Sequence, residues 1–375
     1  MPVDVAPIRC ISDLRSFVEV PWQIYRGDPC WVPMLRRDIR RKLDRSVNPF
    51  FEHGQAEFFL ARRDGRVVGR LAAMSDDSYL AVHDEHVGYF GFFECVRDSD
   101  VAGQLFTEAA GWLRARGLNI MRGPINYSMN EECGLLIGPF DRPPSIMMPY
   151  NPPYYVDLIE GSGFKKVKDL FAYEAGKDNP LPDRVVELIE FATERLGVRT
   201  RPFDKRQSQR DIAIIRDIYH SAWASHWGFI PMTDREVGCM AAELLRIADP
   251  DLVRFAELEG EPVGFILVLP DWNQALKWGN GRLFPIGWAR ILWHSRSIDA
   301  VRALAFGVKP AYRRQGVDLL LGYEAYKVGI AKGYSRVEMS WVPEDLELHI
   351  RALKHIGARL SKRYRIYDRR LDSHA

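Results

Sequence analysis

Two short apolar runs flank an acidic residue and a glycine at 61–73, a pattern that predicts two strands joined by a tight turn. The segment reads ARRDGRVVGRLAA, and its Asp-Gly pair at 64–65 suits a two-residue hairpin turn. The segment AELEGEPVGFILV at 256–268 has the same pattern 195 positions later, with Glu-Gly at its turn. The chain therefore contains the same predicted hairpin twice.

A second pair of similar segments lies near the end of each half. They are IEGSGFKKVKDLFAY at 159–173 and LKHIGARLSKRYRIY at 353–367, in which Gly163 and Gly357 match at an offset of 194. Each segment predicts a helix that ends at a capping glycine and is followed by a strand. Two landmarks at nearly the same offset indicate an internal duplication.

Between its landmarks each half has an apolar strand, a helix and another strand. These predicted elements are 88–96, 101–116 and 119–125 in the first half, and 300–308, 317–332 and 336–342 in the second. A strand–helix–strand crossover after a hairpin predicts an α/β fold in which each of two tandem domains has a mixed β-sheet flanked by helices. The predicted domains are 1–176 and 203–375, and 177–202 is a linker whose helix near 183–196 bridges the halves.

Composition narrows the class of protein without deciding its function. The chain has 375 residues, of which 47% are hydrophobic and 27% charged, and a formal net charge of +2. So little net charge gives no support for nucleic acid as the main partner. The five cysteines are odd in number and form no C-x-x-C pair, which argues against a disulfide framework and against a structural zinc site, and we expect no bound metal. With no signal-peptide pattern and no long apolar run, we expect a cytoplasmic protein.

The segment VKPAYRRQGVD at 308–318 precedes the predicted helix of the second half and combines basic residues with a glycine. A helix N-terminus presents free N–H groups and the positive end of the helix dipole, and both favour a phosphate. Gly316 permits close approach of the backbone, and Arg313 and Arg314 add charge. Asp318 suits the dipole but repels a phosphate, so a basic surface turn capped by Asp318 is the alternative interpretation.

This loop resembles the V-x-P-x-[YF]-R-x-x-G-x-[GA] loop of the GNAT (Gcn5-related N-acetyltransferase) superfamily. Arg313 and Gly316 match, whereas Asp318 replaces the usual final small residue. The resemblance implies acyl-CoA as a co-substrate and no permanently bound cofactor. The residues expected to hold the coenzyme are Phe306, Gly307, Val308, Arg313, Arg314, Gln315, Gly316, Val317 and Asp318.

The first half lacks such a loop. Its strand and helix are four residues closer together than in the second half, and the connection carries Asp98 and Asp100 where N–H donors are needed. These aspartates are better interpreted as helix caps. We therefore predict that the first domain keeps the fold without the coenzyme.

The spacing of the landmarks also locates an insertion of about 22 residues near 126–153 in the first half. It is rich in proline, asparagine, tyrosine and acidic residues, and such rigid polar loops often carry function. A surface flap with solvated acids is the alternative. Together with residues elsewhere in the chain, it supplies the candidate catalytic residues, which are Asn126, Asn130, Glu131, Glu132, Glu94 and His226.

A second insertion, near 270–298, combines aromatic and basic residues. Residues 272–298 include four Trp and four Lys or Arg residues but no acidic one. This composition is typical of a membrane-interface segment or of the mouth of an apolar channel, and burial between the domains is the alternative. It predicts peripheral contact with an anionic membrane surface, on the inner face of the membrane.

Several longer stretches are similar to a group of tandem GNAT-like bacterial proteins that includes the bacterial ceramide synthases. They are RGPINYSMNEECGLL (122–136), MMPYNPPYY (147–155), GFKKVKDLFAY (163–173), HWGFIP (226–231) and KRYRIYD (362–368). The resemblance implies transfer of a long acyl chain from acyl-CoA to a sphingoid-type amine. One departure is that the helix position where many GNAT enzymes carry a tyrosine general acid holds Ile159 and Leu353.

The sequence therefore predicts an acyl-CoA-dependent N-acyltransferase that acts on an amphiphilic amine. A backbone amide near 306–308 would stabilise the developing oxyanion. Two alternatives fit the same features. One is a short-chain N-acetyltransferase of a soluble amine, and the other is a non-catalytic binding or regulatory protein with the GNAT fold.

Overall fold

The computed structural model describes residues 2–177 and 182–371. Every strand and helix predicted around the landmarks of the first half is present. The elements of this half are β1 (Asp4–Pro7), α1 (Ile11–Ile24), α2 (Arg36–Leu43), β2 (Gly54–Arg63), β3 (Arg66–Asp76), α3 (Asp77–Val82), β4 (Val87–Cys95), α4 (Ser99–Arg114), β5 (Ile120–Gly123), β6 (Leu135–Gly138), α5 (Tyr155–Gly161) and β7 (Lys165–Gly176).

In the described residues, the second half repeats this order without a counterpart of β6 and adds helices. Its elements are α6 (Asp183–Glu190) with a π-helical turn (Phe191–Arg195), β8 (Arg199–Pro202), α7 (Ser208–Trp223), α8 (Asp234–Leu244), β9 (Val253–Leu258), β10 (Glu261–Pro270), α9 (Asn273–Leu276), α10 (Gly287–Ser295), β11 (Ala300–Val308), α11 (Val317–Ala331), β12 (Arg336–Pro343), α12 (Glu347–His355) and β13 (Arg359–Arg370). Within the described residues, none of these helices has the length and apolarity to cross a membrane.

The two predicted hairpin turns have the backbone geometry that their residues favour. Asp64 and Gly65 have φ values of 53° and 73°, and Glu259 and Gly260 have values of 52° and 85°. Positive φ at both central residues matches the right-handed twist of the flanking strands. The duplicated hairpin is therefore confirmed.

The structure divides the chain at different places from the predicted boundaries. Unit 1 comprises residues 1–170, 276–293 and 362–375, and unit 2 comprises residues 171–275 and 294–361. The difference arises because the last strand of each half is divided: residues 171–176 of β7 belong to unit 2, and residues 362–370 of β13 belong to unit 1. The predicted bridging helix, α6, packs into the core of unit 2, and residues 178–181 of the predicted linker lie outside the described residues.

In each unit the sheet is mixed, as the crossover pattern predicts. In unit 1 the order is β1-β2-β3-β4-β5-β13, in which β4 and β5 are parallel and the other neighbours are antiparallel. In unit 2 the order is β8-β9-β10-β11-β12-β7, in which β11 and β12 are parallel. The described structure thus confirms the α/β class, with both parallel and antiparallel strand pairing in each unit.

Each sheet is covered by the crossover helix of its own half. In unit 1, α4 buries Leu105 and Phe106 against strand residues such as Leu71 and Phe90. In unit 2, α11 buries Leu320 and Leu321 in a cluster with residues of β9, β10 and α6. Because the helix covers one face of the sheet, its N-terminus is fixed near the end of the preceding strand.

A buried ion pair holds the C-terminal strand in unit 1. The guanidinium of Arg122 on β5 donates to both carboxylate oxygens of Asp368 on β13, with N–O distances of 2.8 Å. Arg122 is only 3% exposed, and its charge is compensated by the two bonds to Asp368 together with a 3.1 Å ion pair to Glu85, which is itself partly exposed. We therefore expect Asp368→Asn to lower the free energy of unfolding by about 3 kcal/mol.

Urea denaturation followed by circular dichroism would measure this loss. Glu347→Gln is the matched control, because it breaks the fully solvated pair with Arg351, whose expected contribution is about 0.5 kcal/mol or less. Equal midpoints for the two variants would show that the Arg122–Asp368 pair does not stabilise unit 1.

Candidate functional site

The parallel strands β11 and β12 of unit 2 separate partway along their length. Their pairing covers only Ala300–Ala303 against Arg336–Met339, whereas β10 stays paired with β11 as far as Val308. A register shift between Leu267 and Val268 marks a β-bulge beside the last residue of the parallel ladder. Residues 305–308 therefore keep a strand partner on one side and lose it on the other, and this gap between the separating strands is called the opening below.

The predicted phosphate loop connects this opening to helix α11. Gly316 is the N-cap of α11 and has φ 79°, a left-handed conformation that favours glycine. Among the described residues, no group accepts a hydrogen bond from the backbone amides of Gln315, Gly316, Val317 or Asp318. These are the free amides that the sequence predicts at the helix N-terminus.

The two arginines of the loop have different roles from each other. Arg313 donates from Nε to the Val308 carbonyl at 3.2 Å and from Nη2 to the Ala222 carbonyl. Its guanidinium therefore ties the loop to the ends of β11 and α7, although the sequence predicts that it simply adds charge. Arg314, with φ 61°, is exposed and makes none of these bonds, so it is the arginine free to approach a phosphate.

Gly316 also contacts helix α6, which precedes β8. A Cβ at this position would lie 2.4 Å from the carbonyl oxygen of Leu188 and 3.4 Å from the Ala192 methyl group. Because Leu188 is on α6 and Ala192 follows in the π-helical turn, this segment lies directly against the start of α11. The contact is a second reason for glycine at this position, and the loop motif alone does not reveal it.

Aromatic rings and two histidines line the opening near Phe306. The Trp223 indole donates to the Phe306 carbonyl at 3.2 Å and stacks on His226 at 6.0 Å between ring centroids. On the other side, His349 of α12 stacks on Phe306 at 6.0 Å. Burial lowers the pKa of His226 and of His349 below the ordinary value for histidine. Both rings are therefore neutral near pH 7 and able to accept a proton.

In unit 1 the equivalent separation of β4 and β5 is closed by the chain itself. The parallel pairing ends at Tyr89 and Arg122, and Ile125 then donates its N–H to the Phe90 carbonyl at 2.8 Å. Asn126 accepts a hydrogen bond from the Phe92 amide through Oδ1 at 2.8 Å. The side chain of Asn126, a predicted catalytic residue, is thus hydrogen-bonded to a backbone amide of the separating strand β4.

The N-terminus of helix α4 in unit 1 is also hydrogen-bonded by a side chain of the same unit. The Asp98 carboxylate accepts hydrogen bonds from the amides of Asp100 and Val101 at 2.9 and 3.2 Å and pairs with Arg63. Asp98 is therefore a helix cap as its residue type suggests, and Asp100 lies in the first turn. A carboxylate already occupies the amides that a phosphate would need.

Three predicted candidates from the first insertion lie in unit 1 with protein partners. Glu132 accepts from the Asn126 side chain at 3.2 Å, and Glu131 pairs with Lys42 at 2.6 Å. Asn130 donates its backbone N–H to the Ser128 hydroxyl at 3.2 Å. The structure thus brings Asn126 and Glu132 together, whereas His226 belongs to unit 2.

Glu94 lies in a buried polar cluster of unit 1. It accepts a hydrogen bond from the Tyr155 hydroxyl at 2.7 Å and lies 3.6 Å from the Arg70 guanidinium. Burial raises the pKa of the Glu94 carboxyl above its ordinary value, although Arg70 opposes the shift. This agrees with the pKa expected for an acid on an apolar strand.

The internal repeat contains a signal for His349 that pattern reasoning missed. Tyr155 and His349 are 194 positions apart, the same offset as the capping glycines. Each lies one helical turn before the position, Ile159 or Leu353, where a GNAT tyrosine is expected. The two halves therefore carry a polar ring at the same place in α5 and α12, and in unit 2 it contacts Phe306.

The loop predicts a specific effect of Gly316→Val on acyl-CoA binding. A side chain at this φ and so near Leu188 must displace the loop amides. Because hydrogen bonds to charged groups contribute about 1.5–3 kcal/mol each, we expect affinity to fall more than tenfold. Titration calorimetry with acyl-CoA would measure it.

Gly260→Val is the matched control, since Gly260 also has positive φ but has no neighbour within 4 Å. Circular dichroism would confirm that both variants fold. Unchanged affinity in folded Gly316→Val would contradict a coenzyme site at this loop.

Comparison with known proteins agrees with this geometry, although no protein-family model matches the sequence. The chain is 32% identical over 376 residues to the bacterial ceramide synthase of Caulobacter vibrioides, covering 98% of each protein. It is 32% identical over 367 residues to Protein YghO of Escherichia coli K12, covering 96% of this chain and 93% of YghO.

Solved structures show the same fold at low sequence identity. A tandem GNAT protein from the clavulanic acid biosynthesis pathway has a TM-score of 0.57 at 12% identity and is covered over its whole length, as is this chain. A GCN5-related N-acetyltransferase from Sphaerobacter thermophilus has a TM-score of 0.54 at 13% identity, with 100% of this chain and 97% of that one covered. The chain therefore belongs to the family of tandem GNAT-fold N-acyltransferases that includes the bacterial ceramide synthase of Caulobacter vibrioides.

Proposed function

We propose that this protein transfers a long acyl chain from acyl-CoA to the amino group of an amphiphilic, sphingoid-type substrate and forms an amide. The observation that carries the proposal is the arrangement in unit 2, where a helix N-terminus with free amides lies beside two separating strands. Within the described residues, unit 1 has neither the opening nor the free amides. Asn126 accepts a hydrogen bond from the separating strand, and Asp98 accepts one from the start of α4. Unit 2 is therefore the better candidate for the coenzyme.

The proposed reaction is direct attack on the thioester. The ammonium group of the substrate first loses a proton to a base, and the amine nitrogen then attacks the acyl carbonyl carbon. The new C–N bond forms as the C–S bond breaks, coenzyme A leaves as a thiolate, and the second proton that the nitrogen gives up passes to this thiolate or to solvent. Because a thiol has an unperturbed pKa near 8.5, the thiolate can leave without a tyrosine general acid.

Two neutral histidines support a base in unit 2. His349 stacks on Phe306, and His226 stacks on Trp223, whose indole binds the Phe306 carbonyl. Neutral imidazole near the operating pH is well suited to accept the ammonium proton. Glu132, Glu131 and Glu94 remain the alternative bases. Because all three lie in unit 1, beside Asn126, Lys42 and Arg70 respectively, the two hypotheses are separable by mutation.

The long-chain substrate is supported by a relative and by an exposed apolar surface. The relative from Caulobacter vibrioides is named a bacterial ceramide synthase. Six of the fifteen large exposed apolar side chains in the described chain belong to the inserted segment 276–293: Trp278, Phe284, Ile286, Trp288, Leu292 and Trp293. A cluster of exposed apolar side chains of this kind is typical of a surface that binds a lipid bilayer or another apolar partner.

Trp272 differs from the other tryptophans of the insertion. It belongs to unit 2, where its indole donates to the Ile247 carbonyl at 2.9 Å. The other three are 46%, 51% and 70% exposed. The predicted membrane surface therefore starts after Trp272, at Leu276.

A thermal-shift series tests the function. We expect palmitoyl-CoA to stabilise the protein by about 2.7 kcal/mol at a concentration one hundred times its Kd, and free palmitate to have a much smaller effect. Mass spectrometry should then detect the amide formed from palmitoyl-CoA and sphinganine.

A preference for acetyl-CoA and a soluble amine would favour the short-chain N-acetyltransferase instead. No stabilisation by any coenzyme A thioester would favour a binding or regulatory protein.

The proposed base makes a prediction about pH. Because the pKa of His349 lies below the ordinary value of 6.5, wild-type kcat should fall only as the pH drops below that value and the imidazole gains a proton. His349→Gln should lower kcat by about 10²- to 10⁴-fold and remove this acidic limb, with little change in acyl-CoA affinity.

His355→Gln is the control, since His355 is exposed on the same helix. Glu132→Gln and Asn130→Ala test the alternative site in unit 1. If they lower kcat with intact acyl-CoA affinity while His349→Gln does not, the base lies in unit 1 and the role of His349 is refuted.

The inserted segment makes a prediction about membranes. We expect the protein to sediment with anionic vesicles at low salt and to be released at high salt, because basic residues near an anionic surface contribute about 1 kcal/mol each. Replacing Arg282, Arg290 and Arg296 with glutamate should prevent sedimentation.

The matched control replaces three arginines that are equally exposed elsewhere: Arg15, Arg66 and Arg359. Sedimentation that is lost equally in both triple variants would indicate a response to net charge. A wild-type protein that stays in solution with anionic vesicles at low salt would contradict membrane contact.

A further inference from the structure

A groove in unit 1 lies between helix α2 and the inserted segment 276–293. Its volume is about 390 Å³, and its lining includes Leu35, Arg36, Arg37 and Arg40 on one side. On the other side it includes Arg282, Leu283 and Phe284, and Glu19 is the one acidic residue among the lining groups. Four arginines and one carboxylate therefore line this groove.

A fixed turn of the inserted segment forms one wall of this groove. Asn280 and Gly281 have φ values of 44° and 71°, and a Cβ on Gly281 would lie 2.2 Å from the Trp22 ring. Arg36 donates its backbone N–H to the Gly281 carbonyl at 3.0 Å and its Nη1 to the Asn280 carbonyl at 2.8 Å. Trp22 adds a bond from Nε1 to Asn280 Oδ1 at 3.0 Å. The position of the next residue, Arg282, is set by this turn.

The one carboxylate of the groove is already paired. Both oxygens of Glu19 accept from Arg36, at 2.6 and 2.8 Å, and the Arg36 guanidinium also lies 3.5 Å from the centre of the Trp22 ring. Arg36 is therefore fully engaged in holding the wall together. Its charge and that of Glu19 cancel.

Two arginines remain whose charges have no partner of this kind. In the described part of the chain, neither Arg40 nor Arg282 has an ion pair, although both are close enough to Glu19 to lower the pKa of its carboxyl, after the larger effect of Arg36. Arg37, at the rim, pairs with Asp38 at 3.1 Å. The groove lining thus includes two guanidinium groups, those of Arg40 and Arg282, whose charges are not neutralised by an ion pair within the described chain, and guanidinium groups suit the oxygens of a phosphate.

The apolar part of the groove indicates what is attached to that phosphate. Leu35 is buried and Leu283 is half-buried, whereas Phe284 is 78% exposed at the rim. Helix α10 continues this apolar surface with Trp288, Leu292 and Trp293. A free phosphate would use the arginines only, whereas a lipid would also bury the apolar rim.

We propose that this groove binds the phosphodiester headgroup of an anionic phospholipid, with Arg40 and Arg282 on the phosphate and the acyl chains directed along Phe284 and α10. The proposal rests on the membrane contact proposed above and assigns it a specific site. With such a site, membrane binding depends on the chemistry of the lipid headgroup. This selectivity adds to the general attraction of a basic surface for any anionic bilayer.

The experiment compares binding to vesicles of phosphatidylcholine alone and with phosphatidylglycerol. The groove variant is Arg40→Gln with Arg282→Gln, and the matched control is Arg290→Gln with Arg296→Gln. The control removes the same charge from Arg290 of the inserted segment and from Arg296, three residues beyond its end, and neither residue lines the groove. We expect the groove variant to lose at least about tenfold more affinity for phosphatidylglycerol vesicles than the control. Equal losses in the two variants would overturn the site and leave general membrane attraction intact.

A second arm separates the site from the membrane contact. A short-chain phosphatidylglycerol below its micelle concentration should bind the wild-type protein and bind the groove variant at least about tenfold more weakly. Inorganic phosphate at the same concentration should not compete. Competition by inorganic phosphate, or no difference between wild type and groove variant, would refute a lipid headgroup site. Binding of the short-chain lipid without any binding to vesicles would sustain the groove and refute the membrane contact.

Discussion

The separation of two parallel strands is the constraint on which the rest of each unit depends. Backbone N–H and C=O groups beyond the last ladder bond need other partners, since an unpaired buried polar group is costly. In unit 1 these partners come from Ile125 and Asn126. In unit 2 the Trp223 indole and the Arg313 guanidinium take the carbonyls of β11 instead. These two carbonyls of β11, on Phe306 and Val308, are therefore hydrogen-bonded by side chains, and the two strands remain separated.

This difference determines where polar groups remain available for chemistry. In unit 1, Glu94, Glu132 and Asn126 are held by hydrogen bonds with other side chains or with the backbone. Such bonds stabilise buried polar groups but also make their release costly. In unit 2 the rings of His226 and His349 contact aromatic faces. An aromatic face restricts a ring's position without using the lone pair that accepts a proton.

The sequence predicts those parts of the fold that short segments determine. Hairpin turns at 64–65 and 259–260 and the capping glycines follow from local conformational preference, and the structure confirms them. The exchange of terminal strands could not be predicted this way, because it depends on contacts such as Arg122–Asp368, which join residues 246 positions apart. In the candidate site, the loop amides follow from the motif. His349 was missed because it lies one turn from the expected tyrosine position, although the repeat offset aligns it with Tyr155.

Gly316 shows why a motif match does not by itself define a site. Its positive φ is required by the turn into α11, and its missing Cβ is required by the Leu188 carbonyl. Both requirements select glycine whether or not a phosphate binds there. The evidence for a ligand comes instead from the amides of residues 315–318, which have no described acceptor, beside an opening lined by neutral histidines. In unit 1 the corresponding helix start needs no glycine, because Asp98 supplies the acceptor from its own side chain.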